Sequence, residues 1–392
     1  GRTNNNIVMK ICIATGTRAE YGLLKPLIEK ISADNEFTLQ LLVTGAHLSP
    51  EFGLTYRQIE ADGYEIDAKV EMLLSSDTAE GITKSMGLGM IGYADAFKRL
   101  SPDLLVILGD RYEMLSVAST ALIFRIPIAH IHGGELTEGA YDDAIRHAIT
   151  KMSALHFTST EAYRQRVIQL GEQPERVFNV GAIGLDNFQS FQLLSKQELE
   201  EDLHITFHRY NYLVGFHPET LSDQSVEEQI EALLQAIDMQ ADSFFVFTKA
   251  NADTNGRIIN QMMEAYVKKN PEKSALFASL GSLRYLSVMK QVTAVVGNSS
   301  SGILEAPSAN TATINIGDRQ KGRIQAESIV NCSTQKEDIL QAFRKVQSEE
   351  FRNKLNGITN PYGNGNASNK IIGIFKTISV DKLSQKTFYN IR

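Results

Sequence analysis

Leu104-Leu105-Val106-Ile107-Leu108-Gly109-Asp110-Arg111 decides the fold of this chain. Five apolar residues in a row, with no polar alternation, read as a strand buried on both faces, the mark of a parallel sheet. The run stops at Gly109, and a carboxylate and a guanidinium follow at once. In open α/β sheets, ligands bind beyond the carboxyl ends of the strands. Asp110 and Arg111 therefore stand where a substrate would sit. Two further strand ends have the same form. Ile128 to His132 runs into Gly133-Gly134-Glu135, and Val295-Val296 runs into Gly297-Asn298-Ser299-Ser300-Ser301-Gly302.

Outward from these ends, short apolar runs alternate with helix-length segments. In the first half, strands are expected over 10–14, 37–43, 65–70, 104–108, 128–131, 155–158 and 177–180. The main helices lie over 20–31, 78–100, 113–124, 143–152 and 161–170. A charged helical connection over 181–209 follows. Strands resume over 212–216, 244–247, 275–277, 294–296 and 313–316, with helices over 226–239 and 258–268. This rhythm implies βαβ units and parallel sheets. It predicts an α/β protein of two doubly wound Rossmann-like domains facing a cleft, 9–182 and 183–366. Residues 367–392 form a C-terminal helix (369–378) and tail that pack back on the first domain.

Composition narrows the classes. Of 392 residues, 43% are apolar and 22% charged, which suits a soluble globular chain with sizeable cores. A net charge of −7 argues against a nucleic-acid binder that relies on a general basic surface. No apolar stretch approaches the roughly 18 residues of a membrane span. Cys12 and Cys332 lie far apart and lack metal-ligand spacing, so a reducing, cytoplasmic setting is expected. The segment Gly1 to Val8 reads as an expression remnant ahead of a native start at Met9.

Four turns carry candidate chemistry. Thr15-Gly16-Thr17-Arg18-Ala19-Glu20 opens a helix after the first strand, where free N–H groups and Arg18 suit a phosphate. A tight turn with an exposed arginine explains the same residues equally well. It is not the G-x-G-x-x-G fingerprint, so a dinucleotide cofactor is not expected. Gly297 to Gly302 offers Asn298, Ser299 and Ser300 around a helix start, more hydroxyls than one N-cap needs. Glu305 lies where it could accept from a ribose diol. His217, at the end of the strand over 212–216, and Arg319, after the strand over 313–316, are placed to meet phosphate oxygens.

The first half concentrates acid–base groups: Asp110, His132, Glu135, Asp142 and Asp143, with Arg111, Arg146 and His147 close in sequence. Asp142 and Asp143 also suit helix capping. On a regular strand His130 and His132 would share one face. No H-E-x-x-H, C-x-x-C or G-x-S-x-G spacing occurs, so neither a metal nor a serine nucleophile is indicated. What remains is an acid–base site with arginines facing a nucleotide-type diphosphate pocket.

Gly16-Thr17-Arg18-Ala19-Glu20-Tyr21-Gly22, Gly109-Asp110-Arg111, His130-Ile131-His132-Gly133-Gly134-Glu135, Asp142-Asp143-Ala144-Ile145-Arg146-His147, Gly297 to Gly302 with Glu305, and Asn315-Ile316-Gly317-Asp318-Arg319-Gln320 stand in this order. Together they resemble the hydrolysing UDP-N-acetylglucosamine 2-epimerases of sialic-acid-type biosynthesis, over 9 to about 376. The resemblance implies a glycosyltransferase-B-like fold with a UDP-sugar in the interdomain cleft, no cofactor, and a homo-oligomer, dimer or tetramer. It implies conversion of UDP-N-acetylglucosamine to UDP and N-acetylmannosamine. Arg18, His217, Ser299, Ser300, Glu305 and Arg319 would hold UDP, and Asp110 and Asp142 would be acid–base residues. Some relatives carry a catalytic glutamate at the position of His132, so either His132 or Glu135 takes that role here. Two alternatives stand beside this reading. The sugar could be UDP-N,N′-diacetylbacillosamine of legionaminic-acid-type pathways, or the chain could be a glycosyltransferase-B-type UDP-sugar transferase.

Overall fold

The computed structural model describes residues 8–73, 78–137, 141–219, 223–250 and 254–392. The chain forms two compact units. One comprises Gly1–Asp186 and Gly365–Arg392, the other Asn187–Asn364.

The first unit is built on seven parallel strands: β1 (Met9–Thr15), β2 (Phe37–Thr44), β3 (Ala68–Val70), β4 (Leu104–Leu108), β5 (Ile128–Ile131), β6 (Leu155–Thr158) and β7 (Val177–Asn179). Their order is β3-β2-β1-β4-β5-β6-β7, so the winding reverses between β1 and β4. That reversal opens the crevice in which doubly wound sheets bind ligands. Period-two alternation sorts the core into two layers. Ile11, Ile13, Leu104 and Val106 face the helix Arg18–Ala33. Cys12, Ala14, Leu105 and Ile107 face the helices Ala79–Leu100 and Tyr112–Ile123. The strand expected over 65–70 shortens to β3, because Asp67 places its carboxylate on the Leu41 N–H (2.8 Å).

The first layer is completed by the helix Ala367–Thr377, which comes from the far end of the chain. Ala367, Ile371 and Phe375 belong to that core cluster. Phe375 meets Phe157 edge-on at 5.7 Å. Asp186 fixes the start of this helix, accepting the N–H groups of Ala367 (2.9 Å) and Ser368 (2.8 Å).

The second unit has six parallel strands: β8 (Tyr210–Gly215), β9 (Ser243–Thr248), β10 (Ser274–Phe277), β11 (Ala294–Gly297), β12 (Ala312–Ile316) and β13 (Ile329–Cys332). The order is β10-β9-β8-β11-β12-β13, reversing between β8 and β11. Tyr212 and Phe245 stack at 5.0 Å, and Phe343 of the helix Lys336–Gln347 closes on both. Both units are thus doubly wound, Rossmann-like α/β sheets. The edge strand β13 was not expected from the sequence.

Candidate functional site

At the end of β4, Gly109 adopts a left-handed backbone (φ 84°), which turns Asp110 out of the sheet. The Asp110 carboxylate is ion-paired with Arg146, from the helix Tyr141–Met152. Arg146 is 1% exposed. Its Nη1 donates to the Glu135 carbonyl (2.8 Å) and Asp143 Oδ1 (3.2 Å), and its Nη2 to Thr137 Oγ1 (3.0 Å) and Asp110. A buried guanidinium needs such a set to offset its lost hydration. The sequence reading placed Arg146 toward substrate; the structure spends its donors inside the protein, knotting three segments together. Asp143 joins the knot by accepting the Thr137 N–H (2.9 Å) and pairing with His147 (3.4 Å). Asp110 keeps a quarter of its side-chain surface in solvent, and Asp142 is half-buried. Tyr141, 63% exposed beside Asp142, carried no sequence signal of its own.

Arg111 turns back on Glu113 through two 3.0 Å bonds, which leaves its exposed side toward solvent. Glu20 is a second buried carboxyl at the same strand ends, and it accepts the Gly16 N–H (2.9 Å). Burial, and then the charge of Glu113, push its pKa up to about 7. Thr17 caps the helix Arg18–Ala33 by accepting the Glu20 N–H (3.2 Å), and Arg18 stands exposed at its first turn. Sequence reasoning missed His47. It is fully buried between Thr15 Oγ1 and Thr55 Oγ1, 2.9 Å from each, and burial lowers its pKa to about 4.

His130 and His132 do not follow the expected alternation. β5 ends at Ile131, and His132 has a left-handed backbone (φ 70°). His130 is fully buried; its Nε2–H donates to the Gly109 carbonyl (2.7 Å) and its Nδ1 accepts from Thr150 (3.1 Å). Burial lowers its pKa to about 3, so it is a neutral brace between β4 and the helix Tyr141–Met152. The Nε2 of His132 accepts the Ile183 N–H (3.1 Å), and its Nδ1 lies 3.7 Å from Glu135 Oε2. Both side chains are nearly closed to solvent, His132 at 7% and Glu135 at 2%.

In the second unit, β8 and β11 touch at their ends. A Cβ on Gly297 (φ 136°) would lie 1.7 Å from the Gly215 carbonyl oxygen, so only glycine fits. Asn298 is fully buried and grips the His217 backbone both ways. Its Oδ1 accepts the His217 N–H (2.7 Å), and its Nδ2 donates to the His217 carbonyl (2.9 Å). Its own carbonyl accepts from Arg319 (3.0 Å) and Gln320 (3.0 Å). Asn298 therefore fixes His217 and Arg319. Burial, with Arg319 adding to it, lowers the His217 pKa to about 3 and keeps the ring neutral. Ser299, Ser301 and Tyr285 form a chain of hydroxyls, at 3.1 and 2.6 Å. The partly exposed Ser299 and Ser300 lead into the one-turn helix Ser301–Leu304.

Glu305 closes that turn. Burial alone pushes its carboxyl from the ordinary 4.5 up to about 8. Between those values the folded state holds a proton that the unfolded chain has lost, so stability falls as pH rises through the window. Glu305→Gln is expected to match the parent near about pH 4 and to melt at a higher temperature near about pH 9. Calorimetry at the two pH values checks this.

Among the described residues, no group of His, Cys, Asp and Glu side chains is gathered as a metal site, and no helix is long and apolar enough to cross a membrane. The first unit thus carries partly exposed carboxylates and arginines at neighbouring strand ends. The second gathers His217, Ser299, Ser300 and Arg319 around Asn298, at the ends of β8, β11 and β12.

Comparison with known proteins gives four findings beyond geometry. The sequence pattern of one family, described as UDP-N-acetylglucosamine 2-epimerase, matches residues 29–376. The chain is 47% identical over 383 residues to the GDP/UDP-N,N′-diacetylbacillosamine 2-epimerase (hydrolyzing) of Campylobacter jejuni, covering 97% of this chain and 99% of that protein. It is 42% identical to the polysialic acid biosynthesis protein P7 of Escherichia coli, covering 97% of each. Among solved structures, the crystal structure of the Neisseria meningitidis UDP-GlcNAc 2-epimerase bound to UDP-GlcNAc superposes with a TM-score of 0.80 at 18% identity, over 94% of this chain and 100% of that one.

Proposed function

The chain belongs to the UDP-N-acetylglucosamine 2-epimerase family, and on that premise we propose that it is a hydrolysing 2-epimerase whose substrate is UDP-N,N′-diacetylbacillosamine. The 47% identical relative from Campylobacter jejuni supports this sugar. UDP-N-acetylglucosamine is the second reading, and the similarity to the polysialic acid protein P7 favours it. The observation that carries the catalytic part is the pairing of Asp110 with Arg146, which brings a partly exposed carboxylate at the end of β4 to the helix that bears Asp142.

The C2 proton of a 2-acetamido sugar is hardly acidic. It becomes removable as the bond from C1 to the UDP oxygen stretches and positive charge builds at C1. Arg18, Arg319, His217, Ser299 and Ser300 stabilise the departing diphosphate. Glu305 receives the ribose diol. Asp110 takes the C2 proton, and UDP leaves from the opposite face to give a glycal. Water then adds at C1, and Asp142 returns a proton to C2 from the other side. Two separately placed acid–base groups are needed because the configuration inverts. A cytoplasmic setting and a homo-oligomeric assembly belong to the same reading.

Proton NMR in deuterated water, with each UDP-sugar and with the GDP-linked form, tests it. UDP should appear with a free 2-epimer carrying deuterium at C2, and faster from the diacetylated sugar. Release of an unepimerised, undeuterated sugar would point to a simple hydrolase or to a transferase turning over without its acceptor.

A further inference from the structure

A histidine that carries protons to a sugar needs a ring nitrogen that can meet the sugar and change its protonation there. In His132 both ring nitrogens face protein. Nε2 accepts the backbone N–H of Ile183 at 3.1 Å. A backbone N–H only donates, so Nε2 holds a lone pair and the ring proton lies on Nδ1. Nδ1 faces the nearly buried Glu135 at 3.7 Å. Protonation at Nε2 would set two N–H groups against each other and break the bond to Ile183.

The bond's far end explains its use. Ile183 lies in the last stretch of the first unit before the chain crosses into the second at Asn187. Three residues later, Asp186 receives the returning chain at Ala367 and Ser368. One short segment thus gathers both crossings. His132 links that segment to the end of β5, and so to Gly133, Glu135 and the Arg146 knot that holds Asp110.

Resting on the reading of the preceding subsection, the geometry points to His132 as a positioning residue that tethers the acid–base loop to the crossing segment, and not as the second proton carrier. Proton transfer then falls to Asp110 and Asp142, which keep surface in solvent. Glu135 acts on the ring, facing Nδ1 so that Nε2 stays an acceptor.

Two substitutions separate tether from proton carrier. In His132→Gln, the side-chain oxygen reaches the place of Nε2 and accepts the same N–H, but it does not titrate. In His132→Asn, the side chain tolerates the left-handed backbone and is too short to reach Ile183. The Gln variant is expected to keep kcat within about threefold of the parent, since the bond is kept. The Asn variant is expected to lose about 10²-fold, the size of effect that a misplaced catalytic group produces. Hydrogen exchange supplies a readout independent of turnover: the Ile183 amide stays protected in the parent and the Gln variant and exchanges faster in the Asn variant.

Loss of about 10²–10⁴-fold in the Gln variant with Ile183 still protected would overturn the proposal and make His132 a proton carrier. Full activity in the Asn variant, or an Ile183 amide equally protected in all three proteins, would overturn it as well. If the parent releases no UDP from any of these sugars, the preceding reading fails, while the exchange pattern still decides whether the tether exists.

Discussion

Asp110→Asn is expected to lower kcat by about 10²–10⁴-fold, the range that removal of a general acid or base produces. KM should move little, because the proposed diphosphate contacts lie elsewhere. The fold should survive: the amide keeps the size of the carboxylate and an oxygen to accept from Arg146, and Asp143 still faces that guanidinium. UDP release and C2 deuterium uptake should fall together, since both depend on the same proton transfer. An Asp110→Asn protein that retains full turnover would remove Asp110 from the chemistry and leave its pairing with Arg146 structural.

Arg146→Ala is expected to be the most damaging single change to the first unit. It strips the partner from Asp110 and leaves the Glu135 carbonyl and the Thr137 hydroxyl without their donor. Breaking a buried ion pair by removing one member costs about 3–5 kcal/mol. A lower melting temperature and lost turnover should appear together. Arg146→Lys is expected to restore only part of either, since one ammonium cannot serve four acceptors in the plane of a guanidinium. If Arg146→Ala unfolds like the parent, the knot does not hold the unit together.

These two residues also show where the sequence speaks and where it stops. Asp110 was legible because an unbroken apolar run ending in glycine can only be a buried strand and its exit, and β4 spans Leu104–Leu108 as the run predicted. For Arg146 the sequence shows a guanidinium near the acidic residues, and the structure adds that it is buried among them. The signal was available: Arg146 stands three and four residues before the buried Ile149 and Thr150, so helical spacing puts it on their covered face. His132 was harder. Alternation holds only within a strand, and β5 stops one residue earlier; the following Gly133-Gly134 pair was the only hint of the turn. Asn298 stands out in the sequence as a polar residue at a strand end, and only the structure shows its buried amide gripping the His217 backbone. The edge strand β13 escaped because Ile329-Val330-Asn331-Cys332 is short and half-polar, as suits a strand with a single neighbour. The Glu20 and Glu113 carboxyls came together only through the pairing of β1 with β4, far apart in sequence.

The cap that Asp186 places on the helix Ala367–Thr377 has a consequence for biosynthesis. A ribosome delivers all seven strands of the first sheet by Asn179, but the helix that completes one of its two core layers emerges only after the entire second unit has been made. Until then the positions that Ala367, Ile371 and Phe375 will fill stay open, and the nascent first unit carries an apolar gap in the layer it shares with the helix Arg18–Ala33. The second unit is contiguous in sequence and can close its core first. Domains that form during synthesis usually do so from the amino end; here the amino-terminal unit is the one that must wait.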